Sequence, residues 1–256
     1  MNDRDAIKWI DLAVPMLRHD VETAILSHEV MEAQNAIIPA GLKGRHTEYL
    51  NTYGAIQNAL VLKLAMDVAR VFDFGVGRPV DRQDMASIPA LAMLFKVAGV
   101  REQLKARASK WVSGIEWADG EDAERSPELE AVALEILQDE QSLDEKACDN
   151  AIDHFLVIAD NLFVESRPEA AALQRVKAFR NRRLAHALFN KEPDPYPSYA
   201  DLTLLLEIAK SAATLSSLAV EGLETEFTDQ TDRNRQNAEG FAKLVLSALK
   251  GVSEHG

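Results

Sequence analysis

Apolar residues recur at intervals of three and four along most of the chain, the period of an α-helix with one buried stripe. Over residues 3 to about 38 they fall at Ile7, Ile10, Val14, Leu17, Val21, Ala24 and Ile25, with Pro15 placed to kink the first third of the helix. Pro39, Gly41 and Gly44 close that segment. A second helix is expected over about 47 to 72, through Tyr53, Leu60, Leu64 and Val68, ended by Gly75, Gly77 and Pro79. Ser87 ahead of Ile88 and Pro89 reads as an N-cap with proline in the first turn, opening a short apolar helix to about Lys96. Another is expected over 101 to 111.

Capping signals order the second half. Ser126 with Pro127 opens one helix, and Ser142 with Glu145 has the spacing in which hydroxyl and carboxylate satisfy free N–H groups at a helix start. Ser166 with Glu169 repeats that spacing, and Ser198 with Asp201 repeats it more loosely. The segment from 166 to 191 is closed by Pro193, Pro195 and Pro197, which makes it a discrete helix over about 167 to 190. A long apolar helix over 199 to about 223 and an amphipathic one through Phe241, Leu244, Val245 and Leu249 complete the chain. The expected fold is all-α: a multi-helix bundle with long antiparallel helices, one domain over residues 1–256.

Composition agrees with the pattern. The chain has 6% aromatic residues, twelve Gly and nine Pro, with abundant Ala, Leu, Glu and Lys, a balance that favours helices over sheets. At 256 residues and 47% hydrophobic it can bury a full core. The single Cys148 excludes an intrachain disulfide. Asp3, Arg4, Asp5 and Lys8 break any N-terminal leader, and no apolar run approaches the roughly 18 residues of a membrane span. A cytoplasmic protein without a membrane partner is the expectation.

Charge first argues against nucleic acid and then points to one place for it. Lys and Arg total 28 against 41 Asp and Glu, a formal charge of −13, which excludes a surface that coats a phosphate backbone. Residues 116–149 hold thirteen acids and two bases, a local charge of −11. Residues 174–191 hold Arg175, Lys177, Arg180, Arg182, Arg183 and Lys191 and no acid, which leaves −19 on the rest of the chain. Two readings of the basic window stay open: a cationic face ion-paired to the acidic stretch, or a local site for an anionic ligand. The acidic stretch likewise reads as a solvated helix face or as a docking surface or shield.

Within the basic window, Arg180-Asn181-Arg182-Arg183-Leu184-Ala185-His186 brings together the chemistry for cutting RNA without a metal. Imidazole moves a proton near neutral pH, from the ribose 2′-hydroxyl or to the leaving 5′-oxygen. Arginine keeps its charge and offers a fork of donors to the non-bridging oxygens, where negative charge builds. Asn181 can orient the phosphate or a partner side chain. Arg175, Lys177, Arg182 and Arg183 are candidates for the RNA backbone. Sixteen Arg and six His give about one such spacing by chance, so the setting carries the weight. Val176, Arg180, Leu184 and Leu188 are spaced by four, so Arg180 interrupts an apolar stripe, where an unpaired charge is costly. On an ideal helix Arg180 and His186 stand roughly 120° apart. A two-fold dimer laying two such helices side by side would build a composite cleft.

The Arg-Asn-x4-His run in an all-helical chain resembles the HEPN (higher eukaryote and prokaryote nucleotide-binding) superfamily. The stretch ALVLKLAMDVARVFDF, ending Ala-Arg-x-Phe-Asp, and the later SIPALAML with Ser-x-Pro-x-Leu resemble its AbiU-type branch, linked to abortive phage infection. Together these pieces cover about half the chain. The resemblance implies a compact helical bundle, a homodimer with the motif helices lining a cleft, and metal-independent endoribonuclease activity leaving a 2′,3′-cyclic phosphate and a 5′-hydroxyl. It puts Arg180 and His186 in the catalytic positions and Asn181 in the polar position after the arginine. It also implies a bacterial toxin–antitoxin or defence setting, with an antitoxin protein as a partner. In one group that antitoxin adenylylates a tyrosine two residues after the histidine; here that position is Leu188, with Tyr196 and Tyr199 further on. Other members are binding modules without catalysis, so a silent helical scaffold is the alternative.

Other signals fall away. His28-Glu29 is followed by Val30, Met31 and Glu32, without the second histidine of a zincin, and no Glu-x-x-His occurs. Asp153-His154 lies between Ile152 and Phe155 and reads as a core or boundary histidine, and Cys148 as a buried small residue. Trp9, Trp111 and Trp117 read as packing residues. No phosphate-binding glycine loop is present, and no metal or cofactor is expected.

Overall fold

The computed structural model describes residues 1–43, 50–75, 79, 86–111, 127–181 and 197–251. Among the described residues there are eight α-helices and no strand, the all-α bundle that the periodicity predicts. They are α1 (Asp3–Gly41), α2 (Leu50–Val71), α3 (Ile88–Phe95), α4 (Val100–Ala108), α5 (Pro127–Asn161), α6 (Pro168–Phe179), α7 (Tyr199–Glu221) and α8 (Thr228–Gly251).

The chain forms two compact units, each assembled from three segments. The first comprises Met1–Pro15, Phe74–Asp160 and Ala212–Thr225. Its core joins Ile7, Ile10 and Val14 of α1 with Leu91 and Phe95 of α3, Leu104 of α4 and Ile152 and Phe155 of α5, all but wholly buried. Phe95 and Phe155 meet edge to face, ring centres 5.1 Å apart. Ser87 caps α3 as expected: its buried hydroxyl accepts from the Ala90 N–H at 3.4 Å, with Pro89 in the first turn. Arg107 donates to both carboxylate oxygens of Asp11, at 2.6 and 3.0 Å. Arg101 pairs with Asp149 and Asp153. Gly222, with φ +67°, ends α7 where any Cβ would lie 2.6 Å from Cδ2 of Trp111.

The second unit comprises Met16–Asp73, Asn161–Ser211 and Glu226–Gly256. Here α2 packs on α6; Leu64, Val68 and Val71 of α2, Phe72 just past it, and Leu173, Val176 and Phe179 of α6 are all buried. From α1 come Leu17, Val21, Ile25, Met31 and Ile38, and from α7 Leu202, Leu205 and Leu206. Ala33 of α1 clusters with Ala238 and Ala242 of α8, small side chains that permit close approach of two helices. Ser198 and Asp201 form a reciprocal capping box at the start of α7. The Asp201 N–H donates to Ser198 Oγ at 3.1 Å and the Ser198 N–H to Asp201 Oδ2 at 2.8 Å.

Several sequence expectations are corrected. Ser142 and Glu145 lie inside the unbroken helix α5 rather than at a start, because no Gly or Pro interrupts residues 128–161 and a helix interior tolerates Ser. The N-cap of α6 is Arg167, not Ser166, because Pro168, with its fixed φ, occupies the first turn. Trp9 is 48% exposed and borders a recess of about 400 Å³ with Met1, Asp5, Lys8 and Leu12. His154 is exposed rather than core or boundary. Cys148 is buried, as expected, its Sγ 3.3 Å from the Ala219 carbonyl oxygen. No unbroken apolar run of span length occurs, yet by length and composition alone α7 is long and apolar enough to cross a membrane, with mean hydropathy 1.3 over 18 residues, half of them buried in the fold. Ser126 and Trp117 lie outside the described residues.

Candidate active site

The basic helix α6 is anchored by Ala172, Leu173, Val176 and Phe179, which turn its apolar face to the second unit's core. Past Phe179 the backbone widens into a π turn at Arg180 and Asn181. Arg182, Arg183 and His186, with Leu184, Leu188 and Tyr196, lie outside the described residues.

Arg180 continues the stripe begun by Val176, and its side chain is only 23% exposed. The compensating charge comes from the end of α2: Arg180 Nη1 stands 2.7 Å from Oδ2 of Asp73. Arg180 Nε also donates to Oδ1 of Asn181 at 3.1 Å, so the residue after the arginine orients it. The guanidinium is thereby gripped at two of its nitrogens.

Lys177, one turn earlier, completes a cluster of two cations and one acid. Burial pushes its ammonium below the usual lysine range; Asp73 pulls it back up and Arg180 pushes it further down. Arg175 is engaged elsewhere, donating through Nε and Nη2 to the two oxygens of Asp201 at 2.9 and 2.6 Å. That pairing, with the Ser198 hydrogen bonds, lowers the Asp201 carboxyl to about 2. Both described arginines of the basic window therefore pair with acids outside residues 116–149. Of the acidic stretch itself, Glu128, Glu135, Asp139 and Glu140 are exposed, and Asp149 pairs with Arg101.

Asp73 closes the run Ala69-Arg70-Val71-Phe72-Asp73, whose spacing alone assigns it no role. The structure gives each polar member of that run a partner. Arg70 pairs with Asp20 of α1 at 3.0 Å, Phe72 is fully buried, and Asp73 meets Arg180. Asp20 is pushed up by burial, against the opposing pull of Arg70.

A second polar cluster in this unit was not legible in sequence either. Tyr199 Oη lies 2.5 Å from His28 Nε2, and the two rings stack. His28 Nδ1 is 3.2 Å from buried Glu29, which also pairs with Arg235 at 3.0 Å. Among the described residues no group of three His, Cys, Asp or Glu side chains is arranged to hold a metal ion.

The all-α architecture is that of a HEPN-type bundle. The family HEPN_AbiU2, described as AbiU2, matches residues 8–241, and the chain belongs to that family, an abortive-infection or defence-associated HEPN group. No curated protein and no solved structure gave a significant match.

Proposed function

We propose that this protein is a metal-independent endoribonuclease of a bacterial toxin–antitoxin or phage-defence system, acting in the cytoplasm as a homodimer. The observation that carries the reading is the oriented, partly exposed guanidinium of Arg180 beside the half-buried Lys177. In this scheme the ribose 2′-oxygen attacks the adjacent phosphorus and the bond to the 5′-oxygen breaks, leaving a 2′,3′-cyclic phosphate and a 5′-hydroxyl. His186 takes the 2′-hydroxyl proton or delivers one to the 5′-oxygen. Arg180 stabilises the charge on the non-bridging oxygens, and Asn181 keeps the guanidinium in place. Lys177, Arg182 and Arg183 hold the backbone on either side, with Arg175 at the periphery because two of its nitrogens serve Asp201.

The net charge of −13 confines this contact to a few nucleotides. An antitoxin protein would hold the activity off until infection. The ion pairs of Arg175 and Arg180 also suit the other reading, a silent helical scaffold, and one experiment separates the two. Cleavage of RNA in the presence of chelator, lost in both Arg180→Ala and His186→Ala while the variants stay folded, supports the nuclease. A wild type that cuts no RNA and is harmless on expression without an antitoxin supports the scaffold.

A further inference from the structure

We infer that Asp73 is a positioning residue for Arg180: it fixes the guanidinium in the orientation that meets an RNA phosphate, and it does so at the expense of RNA affinity. The inference rests on the nuclease reading above.

The first ground is where Asp73 stands. The end of α2 tightens into a three-residue turn, with the Phe72 and Asp73 N–H groups donating to the carbonyls of Ala69 and Arg70 at 3.2 and 3.1 Å. The carboxylate thus sits just past the helix C-terminus, the end whose carbonyls already carry partial negative charge. Local preference there favours a cation, as Arg70 in the last turn illustrates. An acid at that place needs a cation from elsewhere in the fold, and Arg180 supplies it at 2.7 Å.

The second ground is how the guanidinium is held. Nε is hydrogen-bonded to the neighbouring Asn181 and Nη1 is paired with Asp73, just past the end of α2, so rotation about the long side chain is blocked at two points. The pair is largely withdrawn from water, at 23% and 19% side-chain exposure, where a charge pair is screened far less than on an open surface. A side chain with several rotatable bonds is thereby preorganised before any ligand arrives, which is where positional catalysis gains most.

The third ground is charge. Asp73 offsets one of two neighbouring cations, Lys177 and Arg180, which repel each other. A polyanion entering the site meets less positive charge than it would without Asp73. Removing the carboxylate while keeping its shape should therefore move binding and chemistry in opposite directions, a result that loss of a merely structural contact does not produce.

The test uses the full-length protein, a short oligoribonucleotide that it cleaves, and the same oligonucleotide with a 2′-deoxy sugar at the cut site to measure binding alone. Asp73→Asn should slow single-turnover cleavage by about 10- to 100-fold and tighten binding of the uncleavable strand about two- to fivefold at low salt. Asp73→Glu, which keeps the charge but shifts it by one methylene, should slow cleavage with binding unchanged. In an Arg180→Ala background Asp73→Asn should add no further loss. If Asp73→Asn weakens binding while bound RNA is cut at the wild-type rate, or if it slows cleavage equally with and without Arg180, the inference is overturned and the nuclease reading stands. If the wild type cuts nothing, or Arg180→Ala cuts normally, the nuclease reading falls and takes the inference with it.

Discussion

Arg175 and Asp201 form a two-pronged ion pair, Nε to Oδ2 at 2.9 Å and Nη2 to Oδ1 at 2.6 Å. It ties the basic helix α6 to the capping box of α7. One carboxylate therefore does two things, accepting from an arginine 26 residues earlier in the chain and from the Ser198 N–H.

That double use makes Asp201 a source of pH-dependent stability. Its carboxyl is lowered to about 2, first by Arg175 and then by Ser198, against an unfolded value near 3.8. A depressed carboxyl stabilises the fold above its unfolded value, and the contribution is lost as pH falls through the folded one. After allowance for the exposed flank of Arg175, the pair contributes about 1–2 kcal/mol at neutral pH. Urea unfolding of Asp201→Asn should show that loss at pH 7, and the gap to wild type should narrow between about pH 4 and pH 2. A constant gap would remove the ionic explanation.

Arg180→Lys should preserve the charge and lose the catalysis. A lysine cannot engage Asp73 and Asn181 through a rigid fork, nor present paired donors to a phosphate. Cleavage should fall by about 10²- to 10³-fold, with RNA affinity within a few-fold of wild type. Single-turnover kinetics beside equilibrium binding distinguishes this from an electrostatic site in which any cation suffices.

The thiol of Cys148 should be inert in the folded protein. Burial pushes it up to about 11, and its Sγ contacts the Ala219 carbonyl inside the first unit's core. Iodoacetamide at pH 8 should label it at least about 100-fold more slowly in buffer than in urea, because the thiolate is the reactive form. Equal rates would show that this core opens freely.

Gly222→Ala should cost more than about 1 kcal/mol. The position has φ +67°, and a new Cβ would strike the Trp111 ring at 2.6 Å. Unfolding followed by tryptophan fluorescence should show a lower midpoint together with an altered native spectrum. An unchanged spectrum would contradict the contact.

Much of this architecture is readable in the sequence because helices are local. The apolar spacing of Ile7, Ile10, Val14 and Leu17 predicts a buried stripe, and all four are buried. Ser87 with Pro89, and Ser198 with Asp201, identify helix starts from three or four consecutive residues, since a cap needs only its own first turn. Where a local signal misleads, a neighbour outweighs it: the fixed φ of Pro168 moves the cap of α6 to Arg167, and the unbroken run through Ser142 lets α5 continue.

Residue order alone shows that the chain is helical, that its positive charge gathers around Arg175 to Lys191, and that Arg180 lies on an apolar stripe. Each follows from residues within a turn or two of one another. What answers that partly buried charge is settled by packing between distant segments. Asp73 precedes Arg180 by 107 positions, and although it closes the Ala-Arg-x-Phe-Asp run, nothing local to it names Arg180 as its partner. Packing of α2 on α6, each with its own buried residues, Val68 on one and Val176 and Phe179 on the other, brings the ends of both helices together and the two charges to 2.7 Å.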